Sequence, residues 1–152
     1  MPSLRTTAAG VLVALAVGAC GAISTSPPAP TPADFQGIAA ELVQRSIDIG
    51  DIVSGDAGCD DRTLIPTSIG IDANGIDQVE PVRIHIYIFR NRASFEKLRA
   101  SVDACARSFV TDPQTYETVE QSPYVLAGQG PWAPSFEAAL REALEVAAGT
   151  GD

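Results

Sequence analysis

The chain predicts a small α+β fold, a mixed sheet of three or four strands packed by helices in the order α-β-β-α-β-(β)-α. Two stretches carry this reading. Val82, Ile84, Ile86 and Ile88 alternate with Arg83, His85, Tyr87 and Phe89, the period of a strand with one purely aliphatic face. The period then changes. Phe95, Leu98, Val102, Cys105 and Phe109 are spaced as one helical stripe. The simplest packing lays that stripe on the aliphatic face of the strand.

The other elements can be taken in order. Thr31 suits a helix N-cap, with Pro32 at the first helical position and Asp34 two residues on. Phe35, Ile38, Ala39, Leu42, Ser46 and Ile49 fall on one helical side, so this helix is expected to end near Gly50. Asp51–Arg62 is rich in Gly and Asp and reads as a loop. Thr67–Ala73 follows as a strand, with Ile69 and Ile71 on one face. Asn74-Gly75 predicts a tight hairpin pairing Ile69 with Glu80, or else a looser loop from Asn74 to Glu80. The strand Pro81–Arg90 comes next. The helix Arg92–Phe109 is capped by Asn91 or Ser94. Thr115–Gln121 is polar with β-formers and reads as an edge strand. A right-handed crossover would set it parallel to Pro81–Arg90. Tyr124–Ala127 is a short further strand. Pro134 starts a last helix with Phe136, Leu140 and Leu144 in line, and Gly149 ends it.

The composition is globular, 45% hydrophobic and 19% charged over 152 residues. Beyond residue 19 the formal charge is −10, which argues against nucleic acid as a partner. The basic residues concentrate in Arg83, Arg90, Arg92, Lys97, Arg99 and Arg107, the pattern of the solvated faces of a strand and helix or of a local basic patch.

The N-terminus has its own logic. Met1–Thr7 carries Arg5. Ala8–Val17 is apolar but too short to span a bilayer, as in the core of an export signal. It runs into Val17-Gly18-Ala19-Cys20, which resembles the lipobox of bacterial lipoproteins: an aliphatic residue, two small residues and a cysteine. The resemblance covers about the first twenty residues. It implies cleavage before Cys20, diacylglyceryl on its thiol and anchoring to the extracytoplasmic face of the cell membrane. The expected division is a signal over residues 1–19, a lipidated tether over 20–33 and one domain over 34–152. The tether holds Ser24, Thr25, Ser26, Pro27, Pro28, Pro30, Thr31 and Pro32, and reaches at most ~40 Å at ~3.1 Å per residue. Lipidating Cys20 leaves Cys59 and Cys105. In an oxidising compartment they are the natural disulfide. The other readings of the pair are a reactive thiol or a metal site, which would need further ligands although His85 is the only histidine.

Four features invite a functional reading. Arg83, His85 and Tyr87 project together from the second strand face, a candidate ligand face for an anion if open and a hydrogen-bonded interior if covered by the first helix. Trp132, in the Gly128–Pro134 loop, is either an interaction anchor or a core residue. Gly128-x-Gly130-x-x-Ala133 imitates a dinucleotide fingerprint, but Pro131 sits inside its turn. Asp72, Asn74 and Asp77 imitate a calcium loop, but Ile76 occupies a ligand position. No hydrolase motif accompanies the single histidine. No catalytic residue, cofactor or metal is therefore expected. The expected role is a non-enzymatic binding or accessory module of the cell envelope, for a small ligand or an envelope protein, with structural interaction as the alternative.

Overall fold

A computed structural model describes residues 32–149. The proposed signal, Cys20, Thr31 and most of the tether lie outside the described residues. The chain forms α1 (Pro32–Gln44), β1 (Ile47–Ser54), β2 (Ser68–Gly75), β3 (Gln78–Ile88), α2 (Arg92–Ala106), β4 (Tyr116–Gln121), β5 (Tyr124–Gln129) and α3 (Pro134–Ala148). The five strands make one sheet in the order β1-β2-β3-β5-β4. Every neighbouring pair is antiparallel. The fold is therefore α+β, and its sheet is larger than three or four strands and not mixed. β4 runs in the same direction as β3, but β5 lies between them.

The fifth strand is β1, in a stretch whose spacing suggests helix. α1 stops at Gln44, and Ser46 turns the chain with φ 61°. Ile47 and Ile49 then alternate with Asp48 along an edge strand, which a helical spacing of Leu42, Ser46 and Ile49 happens to imitate. A bulge between Gly50 and Val53, with Asp51 at φ 44°, distorts this edge.

The β2–β3 turn falls at Ile76-Asp77, two residues beyond Asn74-Gly75. Ile69 therefore faces Ile86, and Ile71 faces Ile84. This register sets aliphatic residues across from each other. It also frees Asp77 to accept from the Ser135 and Phe136 N–H groups at the start of α3, at 3.1 and 2.9 Å. The slip from the Glu80 pairing is an even number of residues, so Ile69 and Ile71 keep the expected face.

The sheet is buried on both sides. Its aliphatic face, with Ile69, Ile71, Ile84, Ile86, Ile88 and Leu126, is covered by α1 and α3 through Phe35, Ile38, Leu42, Phe136, Leu140 and Leu144. The opposite face carries Tyr87, Phe89, Val125 and Ala127, and α2 packs there through Phe95, Leu98, Val102 and Cys105. The expected packing of α2 on the aliphatic face is thus reversed. Two helices already fill that face. The aromatic half of β3 accepts the stripe of α2, with Phe89 and Phe95 edge to face at 6.0 Å between ring centres. Cys105 bonds Cys59 with their Cα atoms 5.5 Å apart, fastening the 55–67 segment over the same side. Asn91 caps α2, accepting from Ser94 N at 2.9 Å.

Candidate functional site

Alternation along β3 sends Arg83, His85 and Tyr87 to the α2 side of the sheet. Near Tyr87 that side is closed by α2. Nearer Arg83 it is closed by the segment after β1, and not by the first helix. Asp56, Ala57 and Gly58 lie directly over the three side chains.

Arg83 is 29% exposed and meets three aspartates. Its Nη2 is 2.6 Å from Asp56 Oδ2, and its Nη1 is 3.1 Å from Asp72 Oδ1 and 3.3 Å from Asp51 Oδ2. Nη1 also donates to the Asp51 carbonyl at 2.9 Å. Burial opposes the charge on Arg83, but the Asp56 and Asp72 carboxylates outweigh it and raise the guanidinium above its ordinary value. Burial likewise opposes ionisation of Asp56. Its bonds from Arg83 and from Gly58 N–H prevail and hold it below the usual carboxylate range. One guanidinium facing three carboxylates has little left for an incoming anion.

His85 is 3% exposed. Its Nδ1 faces two acceptors, the Asp56 carbonyl at 3.3 Å and Asp56 Oδ1 at 3.4 Å, so Nδ1 carries the proton. The ring lies 4.4 Å from that of Phe109, centre to centre. Burial lowers the imidazole pKa despite Asp56. Tyr87 is fully buried and donates to the Ala57 carbonyl at 2.8 Å. Burial raises its phenol above the ordinary value, so it stays a donor.

Two glycines make these contacts possible. A Cβ at Gly70 would collide with the Asp56 carboxylate and the Arg83 guanidinium. Gly58 sits at φ 71°, and a Cβ there would meet Phe109 and lie 2.8 Å from His85 Nε2. The three candidate residues are thus brought together as anchors for a covering segment. A cleft of about 240 Å³ remains beside them, lined by Val82, Arg83, His85, Phe109, Gln129 and Gly130.

The remaining sequence candidates occupy other positions. Trp132 is 5% exposed and packs edge to face on Phe136, 6.4 Å between ring centres. It is a core residue rather than an exposed interaction anchor. Gly128 leaves room for it: a Cβ there would lie 2.9 Å from Trp132 Cζ2 and 2.7 Å from the Arg83 carbonyl. The glycines of the imitation fingerprint thus serve packing. Asp72 is engaged by Arg83 and Asp77 caps α3, so the imitation calcium loop is divided between two tasks. Among the described residues, no group of three or more His, Cys, Asp or Glu is placed to hold a metal ion. None of their helices is long and apolar enough to cross a membrane.

Asp51, Asp56 and Phe109 complete the cluster and were not assigned to it from the sequence. The available signal was the density of aspartates flanking a strand that carries one arginine. Pairing it with Arg83 requires knowing that the 51–56 stretch returns across β2. Comparisons with protein-family models, with curated protein sequences and with solved structures give no match.

Proposed function

We propose that the chain is a bacterial lipoprotein of the cell envelope, exported by residues 1–19 and anchored through lipidated Cys20. Its domain is a non-enzymatic binding or accessory module held off the membrane by the tether. The observation that carries this reading is Val17-Gly18-Ala19-Cys20 at the end of a short apolar run. The disulfide supports it in two ways. It pairs two of the three cysteines and leaves Cys20 for acylation. It is also a bond that persists in oxidising, extracytoplasmic compartments. Two or more acyl chains make such an anchor stable, at ~0.8 kcal/mol per buried CH₂.

Cys20→Ser tests the reading. The variant is expected in the soluble fraction, without incorporation of a palmitate analogue, while the parent chain stays with the membrane and is labelled. Continued labelling of the variant sinks the lipoprotein assignment.

A further inference from the structure

We propose that the cleft between the last turns of α2 and the start of β4 binds a small carboxylate with an apolar body, an aryl- or alkyl-alkanoate, and that Arg107 takes the carboxylate. The inference rests on reading the domain as a binding module and names the ligand class of that module.

The cleft measures about 340 Å³ and is lined by Asp103, Ala106, Arg107, Val110, Pro113 and Tyr116. Mostly apolar walls with a few polar groups, at a volume above ~300 Å³, are the usual form of a small-molecule site. The two charged groups differ in one respect. Asp103 is committed: its Oδ1 accepts from Arg99 Nη1 at 2.6 Å and from the Tyr116 hydroxyl at 3.0 Å. Arg99 is in turn held by Glu120. Arg107 is exposed and forms no ion pair among the described residues. A guanidinium offers a planar pair of donors that matches a carboxylate. A cationic ligand would meet Arg107 at the rim and an aspartate already satisfied.

The wall of the cleft is also preformed. Val110 N bonds the Ala106 carbonyl at 2.8 Å, and Gly130 N bonds the Thr115 carbonyl at 2.6 Å. Thr111 N and Oγ1 both donate to Gln129 Oε1, at 3.0 and 3.1 Å. Asp112 accepts from Gln114 N at 3.0 Å. A ligand entering here finds the backbone already held and orders chiefly the Arg107 side chain.

Two further concavities hold arginines that already face carboxylates. Arg83 beside the 240 Å³ cleft faces three carboxylates. The 510 Å³ hollow at the start of α3 includes Arg45, which lies 2.6 Å from Glu41 and 3.8 Å from Glu142. The α2–β4 cleft instead joins apolar walls to a guanidinium with no ion-pair partner among the described residues.

The test uses the mature full chain in detergent micelles with 4-fluorophenylacetate as probe, followed by ¹⁹F line broadening against empty micelles. Saturable binding is expected. It should weaken at least about tenfold in Arg107→Gln, on the scale of a lost charge-assisted hydrogen bond. Val110→Trp, which fills the cleft, should abolish it, whereas Arg90→Gln should leave it unchanged. The neutral analogue 2-(4-fluorophenyl)ethanol should bind at least about tenfold more weakly than the acid. Absence of saturable binding, binding that survives Arg107→Gln, or equal binding of acid and alcohol each overturns the proposal. Intact mass of the same preparation reports acylation of Cys20 separately, so failure of the cleft and failure of the lipoprotein reading are distinguishable.

Discussion

The two faces of the sheet are covered by different means. On one, α1 and α3 lay aliphatic and aromatic side chains on a continuous isoleucine surface, with no covalent link. On the other, α2 covers the aromatic half, and an irregular segment covers the polar half around Arg83 and His85. That segment has little apolar area to bury, only Ala57, Leu64 and part of Cys59 and Ile65. It is held by point fasteners instead: the disulfide, the Tyr87–Ala57 bond and the Arg83–Asp56 pair. A regular element can be held by burial summed over its length. A loop needs individually strong attachments, because each ordered residue costs ~1–2 kcal/mol of backbone entropy.

The largest expected effect lies on the aliphatic face. Leu140→Ala removes a fully buried side chain between α3 and the sheet and should cost ~2–5 kcal/mol in urea-denaturation stability. Hydrogen exchange should rise through α1, α3 and the whole sheet together. A loss confined to the 55–67 segment would show that the two faces are not divided as described.

The next effect breaks the other face. Replacing Cys59 and Cys105 together by Ala releases two positions with a sequence separation of 46 and should cost ~2–4 kcal/mol. Hydrogen exchange in the native state should rise first in the 55–64 stretch and leave α1 and α3 protected. Uniform loss of protection would mean that the segment is integral to the core and not fastened onto it.

The smallest effect is a dependence on acid whose upper part belongs to the polar face, since His85 is the single histidine, while Asp77 at the start of α3 shares the lower part. The folded imidazole of His85 titrates below its ordinary 6.5. As pH falls through that value the unfolded chain takes up a proton that the folded chain refuses, so stability declines. Asp56 sits below its ordinary 3.8, so its contribution is complete above that value and is lost as pH falls through the folded pKa. Two declines are therefore expected in stability measured against pH. His85→Gln should abolish the upper one and leave the lower. An unchanged upper decline in that variant would remove His85 as its cause.

Legibility in the sequence followed the same division. Elements with a strong period were readable: β3, α2 with its Asn91 cap, and α3 from Pro134 to its end at Gly149. Edge strand β1 was not, because Ser46 and Ile49 also fit a helical stripe continuing from Leu42. Within the candidate site, the common direction of Arg83, His85 and Tyr87 was legible from alternation alone. Their closure was not, since Asp51 and Asp56 are distant in sequence and approach only across the β1–β2 pairing.

Local pattern by itself determined that this is an α+β chain and which residues line each side of β3. Periodicity depends on neighbours along the chain, whereas the Cys59–Cys105 pairing needed the fold to bring the two together. Tertiary structure alone decided which helix covers which face, and that Trp132 is interior. It also decided that Arg83 is answered by carboxylates while Arg107 has no ion-pair partner among the described residues. Those outcomes depend on competition for a shared surface. α1 and α3 together match the isoleucine face, so α2 is left with the aromatic one, and no single segment carries that result in its own residues.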